Sequence, residues 1–179
     1  MPAQLLNHYR VPADWARGSY FARMAWFVFG KPLCASLIPG TIWRRFLLQL
    51  FGAKIGRGIR IKPRLHVTSP WMLRIGNYCW LGEDLWIDNL ISVLIGDHVC
   101  LSQGAYLCTG NHNYRIPSFD LRLGAIEIQS HAWIAAKSVL APGVTVGTGA
   151  IVSLGSVVLT DVHPNSIVRG NPAQCVGQR

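Results

Sequence analysis

Acidic residues are scarce in this 179-residue chain: eight Asp and Glu stand against 17 Lys and Arg, a formal net charge of +9. Residues 1–65 hold 11 Lys or Arg and a single acid, Asp14, whereas residues 66–179 hold 6 and 7, so the basic excess belongs to the first third. A segment so charged suits nucleic acid, a phosphorylated substrate or an anionic membrane surface as partner. Paired cysteine motifs are missing as well. Cys34, Cys79, Cys100, Cys108 and Cys175 are odd in number and form no CxxC, which argues against a disulfide framework and a structural zinc site and fits a reducing compartment. No apolar run reaches the roughly 18–20 residues of a membrane span, because Arg23, Lys31, Pro32, Pro39, Arg44 and Arg45 interrupt the candidate region. A basic start followed by an apolar core and a cleavage site is also lacking, so a cytoplasmic protein is expected.

What is abundant is apolar: 50% of the residues are hydrophobic, enough for one domain with a sizeable core. In the basic third, Trp15, Tyr20, Phe21, Trp26, Phe27, Phe29, Trp43, Phe46 and Phe51 interleave with the cations. That mixture suits an interfacial helix better than a surface reading nucleic-acid phosphates. Packing of the same aromatics on the main domain is the alternative, and the sequence leaves both open.

From residue 55 an aliphatic residue returns every six positions, often with Gly after it and a small or apolar residue four places later. Ile55, Ile61 and Val67 form one set, Ile75, Leu81 and Ile87 the next, then Ile95, Leu101 and Leu107. After an interruption come Ile128, Ile134 and Leu140, then Val146, Val152 and Val158. A helix needs apolar spacing near 3.6 and a lone strand simple alternation, so a sustained six-residue period fits neither. Three hexads instead make one coil of a prism with three flat parallel sheets, each leading aliphatic pointing inward. Gly56, Gly76, Gly82, Gly96 and Gly147 would relieve backbone limits near the corners.

The fold class expected is therefore all-β, a parallel β-helix of hexapeptide repeats spanning 55–163. A helical, basic segment precedes it at 1–54, with two short helices within 19–51 broken near Pro32 and Pro39. A tail at 164–179, marked by Pro164 and Pro172, would close an open end whose strand edges otherwise invite stacking of chains. The register slips by two at Leu73 and Arg74 and again at Val93 and Leu94, which predicts corner bulges. Residues 109–125 interrupt the repeat with a polar stretch carrying Pro117, which predicts a protruding loop, the usual place for function.

His112 opens that loop. Its imidazole, with an ordinary pKa near 6.5, can take a proton from an attacking hydroxyl; a solvated surface histidine is the other reading, and the residues alone do not choose. A metal centre of the kind three convergent histidines make is disfavoured, because no two of His8, His66, His98, His112, His131 and His163 stand five residues apart.

The segments "FLLQLFGAKIG" (46–56), "SPW" (69–71), "LCTGNHNYR" (107–115), "LAPGVTVG" (140–147) and "RGNPA" (169–173) resemble the colanic acid biosynthesis branch of the hexapeptide-repeat acetyltransferases. The resemblance implies left-handed coils, a homotrimer, and direct acetyl transfer from acetyl-CoA to a sugar hydroxyl in exopolysaccharide or related glycan synthesis. It implies His112 as base and the backbone N–H of Ala136 as oxyanion donor. It implies coenzyme A along Trp133, Ala136, Lys137, Ser153, Leu154, Gly155, Thr160 and Arg169, with Arg179 a further cation for its phosphates. On the acceptor side it implies Asp84, with Asp88 and Asn89 nearby and Asn111 beside the histidine. The acceptor would be a sugar or a lipid-linked oligosaccharide, no metal and no nucleic acid would be needed, and peripheral attachment to the inner membrane face would follow from the basic segment. Two other classes compete: a catalytically silent β-helix that docks at the membrane, and a metalloenzyme like the γ-carbonic anhydrases.

Overall fold

The computed structural model describes residues 3–12, 15 and 18–179. Each hexad gives a strand of two or three residues and then turns, so hydrogen bonds run from one coil to the next and the sheets are parallel. The first sheet stacks Lys54–Ile55, Leu73–Ile75, Val93–Ile95, Ile126–Ile128 and Thr145–Val146. The second begins with Arg60–Ile61, Trp80–Leu81, Cys100–Leu101, Trp133–Ile134 and Ile151–Val152. The third stacks His66–Val67, Trp86–Asp88, Tyr106–Cys108, Val139–Leu140 and Val157–Val158.

The inward aliphatics fall in register as the six-residue period requires, Ile55 on Ile75, Ile75 on Ile95, Ile95 on Ile128 and Ile128 on Val146. All fifteen are buried, the most exposed being Ile55 at 8%. Burying one such side chain is worth about 1.5–3 kcal/mol, so the column they form dominates the stability of the prism. In the second sheet the residue four places on is buried too, and it shrinks from Leu65 and Leu85 to Ala105, Ser138 and Ser156 up the same corner.

The glycines do something other than expected. Gly76 and Gly96, directly after inward residues, have ordinary φ angles, but a Cβ on Gly96 would stand 2.7 Å from the Ser130 nitrogen and one on Gly76 2.6 Å from the Gly96 carbonyl carbon. They permit close stacking of coils. The left-handed backbone comes two residues later, at Tyr78 (φ 56°), His98 (φ 57°) and His131 (φ 65°) on one corner and at Arg64 (φ 57°), Asp84 (φ 56°), Gly104 (φ 64°), Lys137 (φ 60°) and Gly155 (φ 67°) on the next.

The two-residue slips also sit elsewhere than predicted. Leu73 and Val93 are buried strand residues that pair with each other, and the extra residues widen the corner before them. Ser69, Asn89 and Thr109, all buried, line this wide corner one above another. Asn89 Oδ1 accepts from the N–H groups of Thr68 (3.2 Å) and Ser69 (2.9 Å), and its Nδ2 donates to the Ser69 carbonyl (2.6 Å). One coil up, the Leu90 N–H donates to Thr109 Oγ1 (2.9 Å), which donates to the Asp88 carbonyl (2.8 Å).

Ahead of the prism, helical turns run without a break from Tyr20 to Cys34. Pro32 is accommodated because the preceding turn, Trp26–Gly30, is wound wider, the Lys31 N–H reaching back to the Trp26 carbonyl. The chain turns at 35–40 and a second helix, Thr41–Leu50, follows. Trp26, Cys34 and Leu48 bury themselves against the first coil, and Trp26 Nε1 donates to the Val67 carbonyl (3.1 Å). Arg44 is wholly buried and ties the connecting turn together by donating to the carbonyls of Cys34 (3.1 Å), Gly40 (3.1 Å) and Ser36 (2.6 Å). The tail forms Ser166–Gly170, parallel to Ile151–Val152, and Ala173–Gln178, which folds back antiparallel and ends the second sheet.

Candidate active site

The predicted loop is a hairpin. Its neck is closed by the Gly124 N–H donating to the Thr109 carbonyl (2.9 Å), and Gly110–His112 pairs antiparallel with Leu121–Leu123, His112 opposite Leu121. Phe119, at the tip with φ 51°, turns its carbonyl to His112 Nδ1 (3.0 Å). A carbonyl only accepts, so Nδ1 carries the proton, and in the neutral imidazole the lone pair then lies on Nε2, the tautomer a general base requires. The Phe119 ring stacks on the imidazole, centroids 4.3 Å apart and planes 4° from parallel. Asn111 Oδ1 accepts from the His112 N–H (2.7 Å), fixing the backbone at the base.

An N-terminal strap completes this surround. The Leu5 N–H donates to the Pro117 carbonyl (2.8 Å), the Arg10 N–H to Asp120 Oδ1 (3.2 Å), and the Leu121 N–H to the Arg10 carbonyl (3.1 Å). Tyr9 is thereby placed 5.7 Å from the imidazole, ring to ring, at a tilt of 52°. Sequence reasoning missed both aromatics, because Tyr9 lies a hundred residues from the histidine and Phe119 acts through its carbonyl.

The residues assigned to coenzyme A gather around the corner between the second and third sheets, with two exceptions. The Ala136 N–H has no acceptor among the described residues, while its carbonyl accepts from the Gly155 N–H (2.9 Å), so a donor is left pointing off the corner. Leu154 is 71% exposed, and a Cβ on Gly155 would meet nothing within 4 Å, which leaves the backbone bare there. Lys137 covers Gly104 on the same corner, and Gly170, next to Arg169, donates from its N–H to Ser156 Oγ (3.2 Å) one coil further. Ser153 sits at the head of this turn and Trp133 on the adjoining outer face, its Nε1 donating to Ser102 Oγ (2.9 Å). Thr160 lies beyond the third sheet and is not part of the group. Arg179 is held on the far corner, its Nη1 donating to the carbonyls of His131 (2.9 Å) and Gly149 (3.3 Å).

The acceptor residues divide. Asn89 is a correction: it is fully buried and both ends of its amide are spent on the wide corner, so it cannot meet a sugar. Asp88, beside it, faces outward enough to accept from Thr68 Oγ1 (2.8 Å) and the Tyr106 hydroxyl (3.3 Å), and burial raises the Tyr106 pKa. Asp84 is gripped by Arg64 through Nε and Nη2, both at 2.6 Å, and these bonds hold its carboxyl below the usual range. Asp84 shares the corner of Lys137, whereas Asp88, Asn111 and His112 lie across the third sheet at its other edge. One chain therefore keeps the base and the Ala136 donor on opposite edges of a sheet.

No protein-family model matches the chain. Over 178 residues it is 36% identical to the protein named colanic acid biosynthesis acetyltransferase WcaF of Escherichia coli strain K12, covering 98% of this chain and 97% of that one. Galactoside O-acetyltransferase of the same strain shares 26% identity over 141 residues, 74% of this chain and 67% of its own. A solved hexapeptide-repeat acetyltransferase of Vibrio cholerae O1 biovar eltor, complexed with acetyl coenzyme A, superposes with a TM-score of 0.79 at 24% identity over 88% of this chain and 87% of its own, a likeness of fold. With the prism, the histidine hairpin and a relative matched end to end, the chain belongs to the hexapeptide-repeat acetyltransferases, in the colanic acid biosynthesis branch.

Proposed function

We propose that this enzyme moves an acetyl group from acetyl-CoA to a hydroxyl of a sugar, free or lipid-linked, in exopolysaccharide or related glycan synthesis. The observation that carries the reading is the contact of His112 Nδ1 with the Phe119 carbonyl, which leaves Nε2, without a partner among the described residues, to take the hydroxyl proton. The hydroxyl oxygen attacks the thioester carbonyl, the Ala136 N–H steadies the oxyanion, and the thiolate of coenzyme A leaves with the proton that His112 returns. Lys137 and Arg169 are the cations offered to the coenzyme phosphates. Relatives support the donor and the acceptor class: one solved structure is an acetyl-CoA complex, and two curated relatives are named for colanic acid and galactoside acetylation.

Base and oxyanion donor on opposite edges of one sheet fit a homotrimer, in which the edge of one prism faces the other edge of its neighbour. The same reading places the trimer at the cytoplasmic face of the membrane; no helix among the described residues is long and apolar enough to cross it. Thiol release from acetyl-CoA, measured against nucleotide sugars and lipid-linked oligosaccharides, tests the activity. Release that depends on one sugar class and on His112 is expected; release from none of them, with the fold intact, favours a silent docking module.

A further inference from the structure

The basic segment keeps most of its aromatic surface uncovered. Twelve of the 24 exposed large apolar side chains among the described residues fall in residues 20–50. In the helix Thr41–Leu50 the inner face is Arg44, Leu47 and Leu48, while Ile42, Phe46 and Leu50, four apart, form an outer stripe exposed by 86%, 66% and 66%. The turns from Tyr20 to Cys34 repeat the pattern: Trp26, Gly30 and Cys34 face inward, and Phe21, Phe27 and Phe29 are exposed by 82%, 67% and 72%. Leu37 and Ile38 extend the apolar surface across the connecting turn. A helix apolar on nearly all sides is normally buried or lies in lipid, and a monomer rarely displays so large a patch without a use for it.

Charge complementarity selects the occupant. Residues 15–82 contain eleven Lys or Arg and no Asp or Glu. Arg23 and Lys31 line a cleft of about 410 Å³ between the first helical run and the wide corner, with Trp26, Phe27 and Trp71 among its walls. Two cations above an aromatic wall, opening beside an apolar plate, match a phosphate head attached to an acyl chain.

We propose that residues 20–50 are an interfacial plate: Phe21, Phe27, Phe29, Ile42, Phe46 and Leu50 enter the outer acyl region of an anionic bilayer, and Arg23 and Lys31 hold lipid phosphates in the cleft. This rests on the membrane reading above and adds to it the face and the contact residues. The full chain, as its native oligomer, is sedimented with vesicles of phosphatidylcholine alone and with about a third phosphatidylglycerol at low salt. The parent is expected to prefer the anionic vesicles. The pair Phe27→Ser and Phe46→Ser should weaken binding by more than about tenfold, at unchanged oligomeric mass, melting temperature and thiol release with a water-soluble acceptor. Arg23→Gln with Lys31→Gln should abolish the preference for phosphatidylglycerol. Parent binding that survives both pairs overturns the plate and leaves the membrane reading standing; absence of parent binding overturns both. A drop in oligomeric mass in the serine pair assigns the face to contact between copies and likewise overturns the plate.

Discussion

Substitution of Asn89 separates a structural role from a sugar contact, because the two predict opposite readouts. Asn89→Ala removes three hydrogen bonds at the wide corner, but not all groups are orphaned. Thr68 keeps its N–H bond to the Ile87 carbonyl (3.1 Å), and the Ser69 carbonyl keeps the Met72 N–H (2.9 Å). Only the Ser69 N–H, bonded to Asn89 Oδ1 at 2.9 Å, is left without a partner. One orphaned buried donor costs about 1–3 kcal/mol, and the lost net contribution of the other bonds and the small void bring the expected total to about 2–4 kcal/mol. For a chain of this length that lowers the midpoint of thermal unfolding by roughly 5–15 °C. Asn89→Asp keeps the acceptor for the Ser69 N–H but turns its second oxygen toward the Ser69 carbonyl, now 2.6 Å from Nδ2. That buried carboxyl is expected to have a raised pKa, so the variant is most stable at low pH and loses stability as pH rises past the ordinary carboxylate range. Melting curves at fixed protein concentration, with the acceptor KM measured below the transition, decide the matter. A midpoint within about 2 °C of the parent together with a raised acceptor KM would refute the structural assignment.

Other consequences are as direct. His112→Ala should lower kcat by roughly 10² to 10⁴ while mass and melting stay those of the parent, the usual contribution of a positioned base; steady-state rates within a few-fold of the parent would remove it from the mechanism. Gly96→Ala, whose Cβ would crowd the Ser130 nitrogen at 2.7 Å, should cost about 1–3 kcal/mol, readable as a shift in the urea midpoint. Burial pushes the Cys34 thiol up to about 12, from an ordinary 9.0. The folded chain therefore holds that proton after the unfolded chain has lost it, and the stabilisation present below pH 9 is lost toward pH 12; Cys34→Ala should flatten the fall in melting temperature across that window. With a thiol reagent at neutral pH, exposed Cys175 should react in the native state and Cys34 only on unfolding.

The prism was legible because its physics repeats: one inward aliphatic per hexad is a signal that fifteen positions reinforce. What depends on a single contact was not legible. The strap that brings Tyr9 to His112 is held mainly by backbone bonds, which leave no pattern of residue types. The slips at Leu73 and Val93 were visible as a change of spacing, yet the spacing alone did not say which residues leave the strand, and Asn89 was read as an acceptor contact when it is the filler of that corner. Gly76 and Gly96 were recognised as necessary, but for backbone freedom, whereas the constraint is the distance to the next coil. Asp84 is expected from the sequence beside Asp88 on the acceptor side, yet it stands on the corner of Lys137, and its partner Arg64, one coil below, appears only when left-handed residues are stacked.

The bond from the Gly124 N–H to the Thr109 carbonyl has a consequence for how such enzymes change. It short-circuits the third coil at the neck of the hairpin, so residues 110–123 lie outside the stack, and Ile95 meets Ile128 as if nothing had been inserted between them. Lengthening a loop with pinned ends is inexpensive, about 0.6 kcal/mol for each doubling. The hairpin that carries His112 can therefore change in length while the coils and the corner of Ala136 and Gly155 remain untouched. A single prism can in this way carry hairpins of many lengths, the appendage drifting while stability accumulates independently in the stack.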